Sequence, residues 1–297
     1  MAGGMTAAPS PGLLSGRDLR DLADAAGIRP SKQRGQNFLT DPNTVRGIVE
    51  RADLPDAATV LEVGPGLGSL TLGLLEAGAD VVAVELDRGL AELLPVTLRA
   101  RGVAEDRWSV IHQDALTLTE LPATPRGLIP TRLVANLPYN VATPILLTLL
   151  ERFPALEAAL VMVQSEVVDR LAAGPGSRIY GAPSVKTAWY GTARRVGEIS
   201  RQVFWPVPNV DSSLVEVRRH PQPLGTEAER EHTFAVVDAA FLQRRKTLRA
   251  ALAGWAGSAP RAGDVLAAAG IDPAARGETL TCAQFLEIAR ADAEVPR

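Results

Sequence analysis

Cysteine and histidine are scarce in this chain. Its 297 residues include one cysteine, Cys282, and three histidines, His112, His220 and His232, which lie far apart in the sequence. A single thiol excludes a disulfide framework and a metal site built from cysteines. Scattered histidines argue against a histidine cluster, while a carboxylate site is not excluded. We therefore expect no bound metal.

The chain also lacks a long apolar run and a strong net charge. No uninterrupted apolar stretch reaches the ~18 residues of a membrane-spanning helix. The formal net charge is -3, so it gives no hint of a nucleic-acid partner, and any basic surface must be local. The first residues are small and polar, without the charged start and apolar core of a secretory signal. These features predict a disordered leader over residues 1–16 and a cytoplasmic protein.

Short apolar runs rich in β-branched residues alternate with helical patterns from Thr59 onward. The predicted strands cover residues 59–63, 81–84, 108–112, 132–135 and 158–163. The predicted helices cover residues 69–77, 88–101, 143–152 and 165–173. This alternation indicates βαβ units and an α/β fold with a doubly wound, mainly parallel sheet. Two later strands, one ending near Phe204 and one over 213–218, are predicted to be antiparallel and at the edge.

Capping signals and a linker define the remaining parts of the chain. Ser15 with Asp18 predicts the start of a helix, and Asp41 followed by Pro42 predicts the start of another. Residues 220–226 form a proline-containing linker, after which the pattern is helical only. We therefore predict an α/β domain over 17–220 and a small helical domain over 227–297.

A glycine-rich turn, Gly64-Pro65-Gly66-Leu67-Gly68, follows the first of these strands. Glycine allows a tight turn and a close approach to a ligand, and the N–H groups of the next helix are free to donate. Glu85 ends the next strand about twenty residues later, where a carboxylate accepts hydrogen bonds from ribose hydroxyls. A nicotinamide dinucleotide site has the same pattern, and a plain βα turn with a chance acid is the simpler alternative. Asp114, after the third strand, is either an acceptor for an adenine amine or a surface carboxylate.

A second motif, Asn136-Leu137-Pro138-Tyr139, ends the fourth strand, where open parallel sheets bind ligands. The amine of adenine is a poor nucleophile, because its lone pair is delocalised into the ring. The side-chain carbonyl of Asn136 and the backbone carbonyl of Leu137 can hold both amine hydrogens and favour a pyramidal nitrogen. Pro138 fixes the bend, and Tyr139 offers an aromatic face to a base taken out of its helix. Such a site works by positioning and electrostatics; the alternative is an Asn-Pro turn with a buried tyrosine.

Phe204 is a candidate for a second stacking face, and a core phenylalanine at the end of a strand is the alternative.

The chain resembles the bacterial small-subunit ribosomal RNA adenine dimethyltransferases, the KsgA/RsmA family. The resemblance lies in five segments, residues 35–39, 61–68, 136–144, 203–212 and 241–248. It implies a class I, Rossmann-like methyltransferase domain with a small all-α C-terminal domain. It implies N6,N6-dimethylation of two adjacent adenosines near the 3′ end of 16S rRNA, on a partly assembled small subunit, and hence a role in subunit assembly.

The same resemblance implies S-adenosyl-L-methionine as cofactor. The contacts that it implies come from Asn37, Leu39, Gly64, Glu85, Asp114 and Asn136. The sequence departs from the family pattern at Trp205, where a small or polar residue is more usual, at Ala250, which replaces a frequent asparagine, and in a longer leader. None of these positions belongs to the methyl-transfer motif.

Arg244, Arg245 and Lys246 form a basic cluster on a predicted helix. Such a cluster can contact RNA phosphates even in a slightly acidic protein. A solvated helix face and an arginine clamp between domains are the alternatives. Lys32 and Arg34 add cations beside the predicted cofactor segment. We expect a monomer.

Three other functions compete with this interpretation. A sister enzyme that methylates large-subunit RNA shares the fold, but residues 136–144 and 241–248 favour the small-subunit enzyme. A non-catalytic RNA-binding assembly factor would have little need for Asn136, Tyr139, Gly64 and Glu85 together. A nicotinamide-dependent dehydrogenase has no use for the Asn136 motif, and no acid–base pair for it stands out.

Overall fold

The computed structural model of the protein describes residues 12–30 and 35–296. Most of the predicted leader lies outside these residues, as do Lys32 and Arg34. The helix predicted at Ser15 is confirmed: the Ser15 hydroxyl accepts a hydrogen bond from the Asp18 N–H, and the Asp18 carboxylate accepts one from the Ser15 N–H. This reciprocal capping box satisfies two N–H groups that a helix start leaves without a partner.

The strands and helices follow in chain order. The strands are β1 (Phe38–Leu39), β2 (Thr59–Val63), β3 (Asp80–Glu85), β4 (Trp108–His112), β5 (Arg132–Asn136), β6 (Ala158–Gln164), β7 (Gly191–Ile199), β8 (Phe204–Trp205) and β9 (Ser212–Arg219). The helices are α1 (Gly16–Ala25), α2 (Pro42–Arg51), α3 (Ser69–Glu76), α4 (Arg88–Ala100), α5 (Ala142–Arg152), α6 (Ser165–Leu171), α7 (Ala182–Tyr190), α8 (Glu227–Leu242), α9 (Leu248–Ala251), α10 (Ala253–Ala256), α11 (Ala259–Ala268) and α12 (Cys282–Glu294).

The main sheet has seven strands in the order β4-β3-β2-β5-β6-β9-β7. The pairs β3–β4, β2–β3, β2–β5 and β5–β6 are all parallel. Every residue of β2 and β3 is buried, as expected for central strands whose two faces are covered by helices. The predicted doubly wound, mainly parallel α/β sheet is confirmed.

The two late strands match the prediction only in part. β7 lies at the edge of the sheet, but β9 is internal, between β6 and β7, so the predicted edge position is wrong for β9. Its first six residues are buried, as in a strand whose two faces are both covered. Gly191 of β7 lies against Arg218 of β9, and Gly197 lies against Leu214. These contacts run in opposite directions along the two strands, which confirms the antiparallel prediction.

Phe204 does not end a strand of the main sheet. β7 ends at Ile199, and a short turn separates it from β8. β8 pairs with β1 in a separate antiparallel sheet in which Trp205 is opposite Phe38 and Phe204 is opposite Leu39. Strands of two residues are too short to show a period-2 pattern, so this sheet has no local signal in the sequence.

The described chain divides into two compact units. The first unit contains the described residues up to Ser165 together with Val196–Glu216, and the second contains Glu166–Arg195 together with Val217 onward. The divisions fall inside α6, β7 and β9. These divisions do not coincide with the predicted domain limits at residues 220 and 227. The predicted limits remain a prediction.

In the second unit, α8 and α12 form a helical core with aromatic contacts. The ring of Phe241 is 6.0 Å from that of Phe285 and 6.0 Å from that of Tyr180, between centroids. The capping box of Thr281 and Gln284 starts α12. This unit is rich in helix after Thr226, in agreement with the predicted helical C-terminal region.

Candidate functional site

The first unit contains a cavity of about 710 Å³. It lies at the carboxyl ends of β2, β3 and β5. Its lining comes from these strand ends and from residues 35–39. Open parallel sheets bind ligands at this edge, and the volume is in the range of small-molecule and cofactor sites. The cavity is therefore the candidate site.

The glycine loop forms the floor of the cavity. Gly64, Gly66 and Gly68 have φ values of 71°, 58° and 95°, in a region that other residues enter only at a cost. A Cβ atom on Gly66 would lie 2.8 Å from a ring carbon of Phe38. The loop thus needs glycine at residue 66 for its backbone angle and for space, and its bare backbone leaves room for a ligand.

The Glu85 carboxylate is held at the end of β3 by two backbone donors. One oxygen accepts a hydrogen bond from the N–H of Gly66 at 3.1 Å, and the other accepts one from the N–H of Asp87 at 2.9 Å. Burial raises the pKa of Glu85, and these two hydrogen bonds oppose the shift. Each oxygen keeps a further lone pair for a ligand hydroxyl. The geometry suits the predicted role as an acceptor, which remains a prediction.

A second carboxylate, Glu62, lines the same cavity and was not predicted. It is 1% exposed and accepts a hydrogen bond of 2.6 Å from the Thr71 hydroxyl. Burial raises the pKa of Glu62 to about 8, and the nearby negative charge of Glu85 adds to the shift. The sequence does contain a signal for Glu62, which is an acidic residue inside an otherwise apolar strand. Such a residue is notable because a buried acid needs a partner or a function.

Residues 35–39 form one wall of the cavity. The Asn37 side chain donates to the carbonyl of Gly35 at 3.2 Å, and the Leu39 carbonyl accepts a hydrogen bond of 2.7 Å from the Ser69 hydroxyl. Phe38 lies between them, with its ring against Gly66. The structure therefore brings Asn37 and Leu39 to the cavity, as the predicted cofactor contacts require.

Asn136 lines the cavity at the end of β5. Its side-chain nitrogen donates to the backbone carbonyl of Asn37 at 3.0 Å. Among the hydrogen bonds of the described residues, none uses the side-chain oxygen of Asn136. The Leu137 N–H donates to the Met162 carbonyl at 3.1 Å, and the Val141 N–H donates to the Pro138 carbonyl. The motif is thus a fixed turn that presents an amide oxygen as an acceptor.

The two aromatic candidates differ in accessibility. Tyr139 is half-buried, and its hydroxyl lies 2.6 Å from the Ser212 hydroxyl; burial raises the pKa of Tyr139. Phe204 is 2% exposed and belongs to the hydrophobic core. The structure thus agrees with the core alternative for Phe204, and no open ring face is available in this conformation. Stacking on a base remains a prediction for both residues.

Asp114 is not among the residues that line the cavity. Its carboxylate accepts a hydrogen bond from the Leu116 N–H at 2.9 Å and caps a short turn after β4. His112, from the end of the same strand, does line the cavity, and its Nε2 lies 3.1 Å from the Leu86 carbonyl. A cofactor contact from Asp114 remains a prediction.

The basic cluster lies in the second unit, and its predicted helical position is wrong. α8 ends at Leu242, and Gln243 leaves the helix with φ -119° and ψ 50°. Arg244 donates to the Glu278 carboxylate at 2.9 Å and to the Arg178 carbonyl at 2.6 Å. A helix that continued through Arg244 would not depend on these two contacts. Arg245 and Lys246 are exposed. Contacts to RNA from these three residues remain a prediction.

Within residues 12–30 and 35–296, no group of three or more His, Cys, Asp or Glu residues is arranged to hold a metal. No helix in these ranges has the length and apolar character to cross a membrane.

Comparison with known proteins identifies close relatives. A family model described as Ribosomal RNA adenine dimethylase matches residues 29–293. A protein of Streptomyces griseus named Ribosomal RNA small subunit methyltransferase A is 60% identical over 292 residues, which cover 98% of this chain and 99% of the relative. A Kineococcus radiotolerans protein of the same name is 62% identical over 277 residues, covering 93% and 91%.

Solved structures agree with this match. The 23S rRNA methyltransferase ErmE superimposes with a TM-score of 0.63 at 28% identity, covering 86% of this chain and 99% of ErmE. A dimethyladenosine transferase from Plasmodium falciparum has a TM-score of 0.70 at 22% identity, covering 84% and 95%, and shows the same fold.

Proposed function

The chain belongs to the ribosomal RNA adenine dimethylase family, and we propose that it transfers methyl groups from S-adenosyl-L-methionine to the N6 amines of two adjacent adenosines near the 3′ end of 16S rRNA. Membership of the family makes it a methyltransferase that acts on ribosomal RNA. The proposed substrate is the small subunit or its precursor, so that the enzyme also acts in subunit assembly. It works as a monomer in the bacterial cytoplasm, where subunits assemble.

The orientation of the Asn136 amide carries this proposal. Because the amide nitrogen donates to the Asn37 carbonyl, the amide oxygen faces away from that contact and is the atom that can accept from an amine. With the Leu137 carbonyl it provides two acceptors for the two hydrogens of an adenine amine. Holding both hydrogens favours a pyramidal nitrogen with its lone pair directed at an electrophile. No strong general base is needed for this step, because fixed dipoles do the work.

The residues around the cavity fit the proposed cofactor. The two oxygens of Glu85 are oriented by backbone N–H groups and can accept from both hydroxyls of a ribose. The glycine loop leaves its backbone open, and residues Asn37, Leu39 and Gly64 lie at the wall and floor. When bound, S-adenosyl-L-methionine would supply its sulfonium methyl group: the carbon–nitrogen bond forms as the carbon–sulfur bond breaks, S-adenosylhomocysteine leaves as a neutral thioether, and the displaced amine proton passes to water. Asp114 would have to leave its turn, or accept with its second oxygen, to contact the adenine of the cofactor.

The identities to relatives support the small subunit over the large one. The chain is 60% identical to a protein named for the small subunit and 28% identical to one named for 23S rRNA. The sister enzyme remains the alternative that a substrate assay must exclude.

Replacement of Asn136 tests the role of its side chain in methyl transfer. We expect Asn136→Ala to keep its fold and to lose methyl transfer to small subunits by about 10²–10³-fold, as for loss of one preorganised hydrogen-bonding group. Asn43→Ala, an exposed asparagine on α2, is the matched control and should be as active as the parent. Both are measured by transfer of labelled methyl and by calorimetric titration with S-adenosylhomocysteine.

An Asn136→Ala protein that transfers methyl groups at the parental rate would contradict the mechanism. A parent that binds S-adenosylhomocysteine but transfers nothing to any subunit preparation would favour the non-catalytic assembly factor.

A further inference from the structure

Trp205 lies directly behind one wall of the cofactor cavity. In the β1–β8 sheet it is the cross-strand partner of Phe38, and the centroids of the two rings are 6.1 Å apart with an interplanar angle of 38°. Phe38 lines the cavity, and Trp205 does not. Trp205 can therefore act on a bound ligand through Phe38, the cavity residue whose ring it contacts.

One edge of the Phe38 ring rests on the glycine loop. Two of its ring carbons occupy the space where a Cβ on Gly66 would stand, at 2.8 and 2.9 Å. The N–H of Gly66 in turn donates to the Glu85 carboxylate. A continuous line of contacts thus runs from Trp205 through Phe38 and Gly66 to Glu85.

Backbone pairing of β1 with β8 holds Phe38 and Leu39, and further hydrogen bonds hold residues on either side of Phe38. The N–H and the hydroxyl of Thr40 both donate to the Val203 carbonyl, at 2.8 and 2.9 Å, and Ser69 donates to the Leu39 carbonyl. These bonds fix the chain after Phe38. Before Phe38, the Asn37 carbonyl accepts from Asn136. The ring contact with Trp205 lies between these two fixed points, on the residue that packs on the loop.

We propose that Trp205 is a positioning residue for the methyl donor: it presses Phe38 onto the glycine loop and so keeps the wall formed by residues 35–39 in the conformation that binds the cofactor. This inference builds on the proposed function, because it assigns the cavity to S-adenosyl-L-methionine.

The expected size follows from preorganisation. If the free protein spends only part of its time in the competent conformation, the apparent dissociation constant rises by the inverse of that fraction. Loss of one aromatic contact should therefore weaken binding of S-adenosylhomocysteine by about threefold to tenfold. Once the cofactor is bound and the wall is closed, the chemical step does not depend on Trp205. The Michaelis constant for S-adenosyl-L-methionine should rise and kcat should stay near the parental value.

The test compares Trp205→Ala, Trp205→Phe and Val207→Ala. Val207 is exposed in the segment that follows β8 and serves as the matched control. Titration calorimetry with S-adenosylhomocysteine should give a raised dissociation constant for Trp205→Ala, recovery towards the parental value for Trp205→Phe, and no change for Val207→Ala. A purely structural defect would instead lower the binding stoichiometry and kcat at an unchanged dissociation constant, and that result would overturn the proposal.

A double-mutant cycle tests the route through Phe38. In a Phe38→Leu background, Trp205→Ala should have little further effect on the dissociation constant, because its target ring is gone; additive effects would refute the route. If Trp205→Ala fails to fold, Trp205→Leu, which keeps an apolar side chain, replaces it in both experiments. A parent protein that does not bind S-adenosylhomocysteine would count against the proposed function itself. If the parent and Trp205→Ala bind S-adenosylhomocysteine with the same dissociation constant, only the role of Trp205 is refuted.

Discussion

Replacing Gly66 with alanine tests the geometry of the glycine loop. The φ of Gly66 is 58°, and an alanine in this left-handed region costs about 1–2 kcal/mol. The new methyl would also lie 2.8 Å from the Phe38 ring, so the ring must move. Forced repacking of this kind costs a further ~1–3 kcal/mol. We expect the free energy of unfolding of Gly66→Ala to fall by the sum of these two costs.

Gly102→Ala is the matched control for this experiment. The φ of Gly102 is 72°, and nothing lies within 4 Å of a Cβ at that position. The free energy of unfolding of Gly102→Ala should therefore fall only by the cost of the left-handed backbone conformation. Denaturant unfolding of both variants, with the slope checked for two-state behaviour, isolates the cost of moving Phe38 as their difference of ~1–3 kcal/mol. Because Gly66 also donates to Glu85, only Gly66→Ala should weaken binding of S-adenosylhomocysteine, by about tenfold or more.

Equal losses of stability and unchanged binding in the two variants would refute this reasoning. A second variant sharpens the result: adding Phe38→Leu to Gly66→Ala should restore part of the stability, because the smaller side chain leaves space for the methyl group.

Three further predictions concern the basic cluster, the aromatic face and the buried acid. Charge reversal at Arg245 and Lys246 should weaken binding to small subunits and flatten its salt dependence while sparing cofactor affinity; unchanged subunit affinity at moderate salt would count against an RNA contact. Tyr139→Phe should keep methyl transfer within about threefold, whereas Tyr139→Ala should lose about 10–100-fold, as expected for stacking rather than proton transfer; equal losses in a rate assay would contradict this. Glu62 has its pKa raised from 4.5 to about 8, so the folded state keeps a proton that the unfolded chain has lost. The free energy of unfolding should therefore fall as pH rises through this interval, by up to about 1.4 kcal/mol per pH unit. Denaturant unfolding of Glu62→Gln should show a much weaker fall; an identical pH profile would refute the assignment.

Local signals were sufficient for most of the α/β architecture. Capping side chains located the starts of α1 and α2, because the geometry of a cap is set by residues close in sequence. Apolar runs bounded by glycine located β2 and β3, because central parallel strands are buried on both faces. The strand ends then placed Gly64, Glu85 and Asn136 at one cavity, since parallel strands share a carboxyl edge.

Features that depend on distant residues could not be predicted in the same way. The sequence Gln243-Arg244-Arg245-Lys246 consists of good helix formers, yet the chain turns there and Arg244 contacts Glu278; tertiary contacts override propensity. Phe204 could be an open face or a core residue, and the core position depends on the β1–β8 pairing, which has no local signature. The orientation of the Asn136 amide likewise depends on Asn37, a residue distant in sequence.

The proposed activity of this cavity is dimethylation of adenosines in small-subunit RNA. To test it, the protein and labelled S-adenosyl-L-methionine are incubated with small subunits that lack the modification, with large subunits in parallel, and the labelled nucleosides are identified by mass spectrometry. We expect N6,N6-dimethyladenosine in the small-subunit RNA only, at two adjacent positions near the 3′ end. Label confined to large-subunit RNA, or on a nucleoside other than adenosine, would contradict the account.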